Sequence, residues 1–250
     1  MGRPKRVDVG GGVYHVLNRA VGRRRIFVRE QDFAGFERTL AEAVQRAGGA
    51  VRLLAYCVMG NHWHLVVRLS PSADGALRPF MQWLTLTHTQ RYNVARRRVG
   101  EGPLYQGRYK ACPVQRDEHL LAVCRYVERN AARASLVARA EAWPWSSLWR
   151  WRHPSAAAAR EADWPTELVL SPWPTPSGSA VVMDGSRRPR QWLRQVNTPM
   201  SEAELAALRI TAQRGRPYGE PGWVDRMIAR FDLASTLRPP GRPKAGKHDE

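Results

Sequence analysis

Hydrophobic and polar positions along this chain switch between two periods. Residues 13–18 read as a short strand. Over residues 30–47, Phe33, Phe36, Leu40, Ala43, Val44 and Ala47 recur on one face of a helix, which Gly48-Gly49 ends. Residues 50–58 predict a second strand and 62–69 a third, with Met59-Gly60-Asn61 as a tight antiparallel connection. A helix follows over 75–98, a fourth strand over 104–114 and a further helix over 117–131, opened by Asp117 and Glu118. That order is an α+β class: a ferredoxin-like split βαβ core with an antiparallel sheet and an added helix.

Beyond the tryptophans at 143, 145, 149 and 151 the pattern weakens. Residues 1–153 are expected to form the main domain and 154–190, rich in Pro, Ala and Ser, a linker or irregular wrap. Helical pattern returns over 191–236, where Ser201-Glu202-Ala203-Glu204 resembles a helix start. This is expected to be a small helical DNA-binding unit, followed by a basic disordered tail over 237–250. The tryptophans are expected to pack the chain onto the core rather than stack on unpaired bases.

Composition narrows the partner. Forty Lys+Arg against 22 Asp+Glu give a formal charge of +18 in 250 residues, with 43% hydrophobic residues to build a core. Such a charge favours polyanions, and nucleic acid gains further from counterion release. A basic amphipathic helix beside an apolar anchor would point to a membrane surface, and the sequence has none. No membrane partner and no small-molecule substrate are expected. Without an apolar leader or span, a cytoplasmic location is expected. Cys57, Cys112 and Cys124 lie far apart with no CxxC pair, so they read as core residues.

Two groups of residues carry chemistry. His62 and His64 stand two apart on a predicted strand, so both point to one face and Trp63 to the other. Two adjacent imidazoles can share a divalent metal; the plainer reading is two polar positions on a solvated face. Tyr126 and Asn130, four apart on a helix, share its face. A phenol is a weak nucleophile near neutral pH, its ordinary pKa being about 10, but beside a metal that neutralises a phosphate it can attack in line. Asn130 can supply an oxygen ligand. The plainer reading makes Tyr126 a core aromatic and Asn130 a helix cap.

These residues sit among recognisable motifs: Tyr14-His15-Val16, Met59-Gly60-Asn61-His62-Trp63-His64-Leu65, Tyr105-Gln106-Gly107-Arg108-Tyr109, Tyr126-Val127-Glu128-Arg129-Asn130 and Trp143-Pro144-Trp145-Ser146-Ser147. In order and spacing they resemble the REP-associated tyrosine transposases, a branch of the single-tyrosine HUH transposases, over roughly residues 10–152. The resemblance implies that His62 and His64 are metal ligands, Asn130 a third ligand and Tyr126 the nucleophile. It implies cleavage of single-stranded DNA near REP-type hairpins, a 5′-phosphotyrosine intermediate, a free 3′-hydroxyl, and Mg²⁺ or Mn²⁺ as cofactor. Three positions depart from the family's habit: Gly60 replaces a proline, Ala131 follows Asn130 where proline is common, and Trp63 replaces an aliphatic residue.

Further basic residues are expected to touch DNA. Gln106, Arg108 and Lys110 alternate along the predicted fourth strand, Arg23, Arg24 and Arg25 form a cluster, and Arg96-Arg97-Arg98 closes the second helix. Arg214 and Arg216, with Arg242 and Lys244, lie in Gly-Arg-Pro segments that resemble minor-groove hooks. A non-catalytic hairpin-binding protein, a domesticated transposase acting as a regulator and an RNA-processing nuclease remain alternatives. Monomer and homodimer are both open.

Overall fold

The computed structural model describes residues 6–174 and 188–237. Arg242, Lys244, the first Gly-Arg-Pro segment and nearly all of the expected tail lie outside them.

Four strands form one antiparallel sheet: β1 (Val13–Arg19), β2 (Val51–Met59), β3 (His62–Leu69) and β4 (Lys110–Val114). Their order is β2-β3-β1-β4. Helix α1 (Glu30–Arg46) joins β1 to β2, and α2 (Leu77–Ala95) joins β3 to β4. Each crossover strand pair is split by a strand of the other, which is the ferredoxin-like arrangement expected. Gly48 and Gly49, with φ of 55° and 85°, end α1 in the left-handed region that glycine enters without strain.

Strand alternation builds two cores, one on each face of the sheet. On one face Val16, Leu53, Trp63 and Leu65 meet Phe33, Phe36 and Leu40 of α1 and Phe80, Met81 and Leu84 of α2. On the other, Val13, Cys57, Val66 and Val114 meet Leu120, Val123, Cys124 and Val127 of α3 (Glu118–Glu128). The Asp117 side chain caps α3 by accepting from the His119 amide. All three cysteines are buried and unpaired by disulfides.

Trp63 is fully buried on the first face. Its Nε1–H donates to the Tyr105 hydroxyl at 3.0 Å, and that hydroxyl shares a hydrogen bond with Nδ1 of His88 at 2.7 Å. The polar edge of each ring is thereby satisfied inside an aromatic core.

Residues after α3 wrap both faces. Trp145 stacks on Phe33, ring centroids 5.0 Å apart, and Trp143 Nε1–H donates to the Val58 carbonyl at 2.9 Å. The tryptophans thus pack the chain onto the core. Helix α4 (Asn130–Arg133) continues from α3, then come α5 (Ser147–Arg152) and α6 (Pro154–Arg160). Helix α6 lies in the stretch expected to be irregular; Pro154 sits at its first turn, where its missing N–H costs nothing. Then follow α7 (Trp192–Asn197), α8 (Glu202–Arg214) and α9 (Pro221–Phe231). Ser201 and Glu204 form the capping box of α8. Among the described residues no helix is long and apolar enough to cross a membrane.

Burial pushes His88 down to about 3. The unfolded chain therefore takes up a proton below pH 6.5 that the folded state refuses, and stability present above that pH is lost as pH falls. By pH 5 this one group costs about 2 kcal/mol. Urea denaturation at pH 7 and pH 5 tests it: His88→Gln should lose about 2 kcal/mol less than the parent chain across that interval, and equal losses would contradict the assignment.

Candidate DNA-cleavage site

The β2–β3 turn sets the site. The Gly60 carbonyl accepts from the amides of Ile26 and Phe27, and the Asn61 carbonyl from Ala20. Asn61 Nδ2 donates to the Arg23 carbonyl at 3.0 Å. Arg23, Arg24 and Arg25 are exposed and lie along this stapled segment, outside the cavity described next.

With Trp63 buried on the α1–α2 side, His62 and His64 emerge on the α3 side, ring centroids 5.0 Å apart. They line a cavity of about 680 Å³ together with Tyr126 of α3. The Tyr126 ring lies 5.9 Å from that of His64, edge-on. Burial lowers His62 to about 4 and His64 well below its ordinary value, so both are neutral imidazoles near pH 7. Nδ1 of His62 is 2.6 Å from Asn61 Oδ1, and Nδ1 of His64 is 2.9 Å from Nε2 of His15. In each ring Nε2 is the nitrogen left for a ligand.

The cavity wall is strongly basic. Arg6, Arg19, Arg108, Lys110, Arg133, Arg209 and Arg214 line it, and among the described residues no carboxylate does. Gln106 also lines it, but Gln106 and Arg108 are not on a strand as expected. Pairing of β1 with β4 stops at Leu17 and Lys110. Before that point residues 106–109 bulge out and open the cavity, with the Asn18 side chain donating to the Gly107 carbonyl at 3.2 Å. The chain is tied to β1 where Tyr105 pairs with Ala20 and the Gln106 amide donates to the Arg19 carbonyl at 2.8 Å, and the Tyr105 ring turns into the core toward Trp63. Lys110 starts β4, and its ammonium donates to the Gln213 carbonyl at 2.6 Å. Burial lowers its pKa.

Asn130 behaves differently from the other expected ligands. It is buried and does not line the cavity. Its Oδ1 accepts from Arg133 at 2.7 Å, while its Nδ2 is buried without a partner. Arg133 also sits over the Tyr126 ring, 5.3 Å from its centroid. The helix runs through Arg129 in αR geometry into α4, which brings Arg133 onto the face of Tyr126. That i, i+7 spacing was present in the sequence, as was a histidine in the interior of β1; neither Arg133 nor His15 was singled out for the site. Of the expected hooks, Arg214 lines the cavity, and Arg216 lies in the loop before Tyr218, which pairs with Val114. Arg96 pairs with Asp32 instead of standing free.

The back of α3 is held by later residues. Buried Glu128 accepts from Ser147, from Trp192 Nε1 at 2.7 Å and from Arg188 at 3.0 Å. Arg125 and Arg129 donate to the carbonyls of residues 196–199 at the end of α7, where positive charge suits the helix dipole. Glu128→Ala removes the acceptor shared by three donors in a buried site. It should destabilise the chain by about 3 kcal/mol in chemical denaturation, and a loss under about 1 kcal/mol would contradict this role.

No curated protein sequence matches the chain. Among solved structures, a REP-associated tyrosine transposase bound to a REP hairpin aligns at 16% identity and TM-score 0.48, covering 74% of this chain and 100% of that one. A Deinococcus radiodurans R1 protein described as a candidate transposase aligns at 22% identity and TM-score 0.35, covering 49% of this chain and 89% of that one. Residues 9–130 match the sequence model of IS200-like transposases, a span that includes all four strands, both histidines and Tyr126. Over residues 9–130, just under half of its length, the chain is similar to the IS200-like transposases.

Proposed function

We propose that the chain is a metal-dependent endonuclease and strand transferase acting on single-stranded DNA beside REP-type hairpins. The observation that carries this reading is the convergence of His62, His64 and Tyr126 on one cavity walled by cations.

A divalent cation fits the two imidazoles that line the cavity, whereas Asn130 does not line it and would have to turn toward it. Both imidazoles are neutral and each is turned by an Nδ1 contact so that Nε2 is free. Asn130 Oδ1 keeps a lone pair beyond its bond to Arg133 and is the third donor in this reading. Among the described residues no group of three His, Cys, Asp or Glu side chains is arranged to hold a metal ion. Bound by His62, His64 and Asn130, Mg²⁺ or Mn²⁺ would neutralise charge on the scissile phosphate.

The chain's own residues do the rest. The basic wall, which includes Arg108 and Lys110 together with Arg209 and Arg214 of α8, draws the DNA backbone into the cavity. In this reading the helical unit is part of the DNA path. Arg133 holds Asn130 and, through its guanidinium over the ring, stabilises negative charge developing on the Tyr126 oxygen. The Tyr126 oxygen attacks the phosphorus. A Tyr–O–P bond forms, the P–O3′ bond breaks, and the phenolic proton is balanced by that gained at the released 3′-hydroxyl. Rejoining reverses these bond changes without an external energy source.

Tyr126→Phe should abolish the denaturant-resistant protein–DNA adduct formed with a labelled single-stranded hairpin and Mn²⁺ or Mg²⁺, while hairpin binding stays within about threefold. His62→Ala and His64→Ala should remove cleavage at every concentration of either ion. An adduct with the Phe variant would sink the nucleophile assignment, and cleavage by the Ala variants the cation site. Binding by the parent chain with no cleavage would favour a regulator that only holds hairpins.

A further inference from the structure

A third histidine stands behind the two that line the cavity. His15 of β1 is fully buried and does not line the cavity. In the ladder His15 faces Val66 and His64 faces Leu17, so the two histidines are diagonal neighbours on one face of the sheet. Their rings stack with centroids 5.1 Å apart at 22°, and His15 Nε2 meets His64 Nδ1 at 2.9 Å. The other nitrogen of His15, Nδ1, is buried with no partner. A buried imidazole with one edge unsatisfied costs stability that an aliphatic side chain in the same layer would not. What His15 gains in return is a hydrogen bond to His64, beside an edge-on contact with the Tyr126 ring at 6.0 Å.

The two flanking contacts differ in kind. Asn61 offers His62 an amide oxygen, which can only accept, so His62 carries its proton on Nδ1. An imidazole nitrogen can accept or donate. If His15 donates, the His64 proton lies on Nε2 and the lone pair toward the cavity is lost. If His64 donates, its Nε2 lone pair is free, and the proton of neutral His15 lies on Nδ1. Only the second arrangement is compatible with a cation at His64.

We infer that His15 is the positioning residue of His64: its Nε2 accepts the Nδ1–H of His64, fixes the ring and selects the tautomer whose Nε2 meets the cation. The inference rests on the cation reading above. It makes His15 a partner to the ligand and not a ligand itself, because its one paired nitrogen is committed to His64. In the loaded protein both rings carry their proton on Nδ1, with no net gain or loss of protons. Ring orientation by such a contact is worth roughly 10- to 100-fold in metal affinity.

Calorimetric titration of Mn²⁺ into the full chain tests this, alongside long-range ¹⁵N–¹H spectra of the histidines with saturating Mg²⁺. His15→Leu should fold, by circular dichroism and thermal melting, and bind Mn²⁺ at least about tenfold more weakly. His15→Gln, whose Oε1 can accept from His64, should recover most of that loss. The spectra of the parent chain should show His64 and His15 protonated at Nδ1. A folded Leu variant with unchanged Mn²⁺ affinity, a Gln variant as weak as Leu, or a His64 proton on Nε2 in the loaded chain would each overturn the inference. The spectra decide it even where a variant fails to fold. A parent chain that binds no Mn²⁺ would bring down the cation reading itself, a distinguishable result.

Discussion

The site depends on the alternation of side chains at His62-Trp63-His64. A strand cannot turn two neighbours to the same face. Trp63 is among the largest fully buried side chains of the described residues, seated among α1 and α2 and fixed by its bond to Tyr105. Its position settles where the histidines go. A one-residue slip of β3 would expose the indole and bury both imidazoles among aromatic rings, so the register is strongly held. The same bond turns Tyr105 inward, and the chain that follows it leaves the sheet to open the cavity. One packing decision therefore places the histidines and makes room in front of them.

The opposite wall is set by a second constraint, the hold on α3. Tyr126 and Glu128 lie two apart on the helix, so they point to different sides. Tyr126 reaches the cavity, while Glu128 is tied to Ser147, Arg188 and Trp192, which come from the chain after the helix. Arg125 and Arg129 add contacts to the end of α7. The later helices therefore fix the helix that carries the tyrosine and, through Arg209 and Arg214, supply part of the basic wall before it.

Much of this was legible in the sequence. Element order and alternation gave the ferredoxin-like sheet, and Asp117 and the Ser201–Glu204 box marked helix starts where they occur. The parity of His62 and His64 and the helical spacing of Tyr126 also read directly. The fourth strand did not: Gln106 and Arg108 alternate like strand residues, but Tyr105 is drawn into the core and overrides the local pattern. His15 was hidden because a lone histidine in an apolar strand shows nothing of its neighbour, which lies 49 residues away. The Glu128 hub joins residues spread over more than sixty positions, and no local period reports such a contact.

The central claim is that Tyr126 becomes covalently joined to DNA. Proteolysis and mass spectrometry of the adduct formed with a single-stranded hairpin and Mn²⁺ address it directly. The predicted result is a nucleotide joined through a 5′-phosphate to Tyr126 in the peptide that contains it. A nucleotide on any other residue, or cleaved DNA with no adduct trapped at Tyr126, would contradict it.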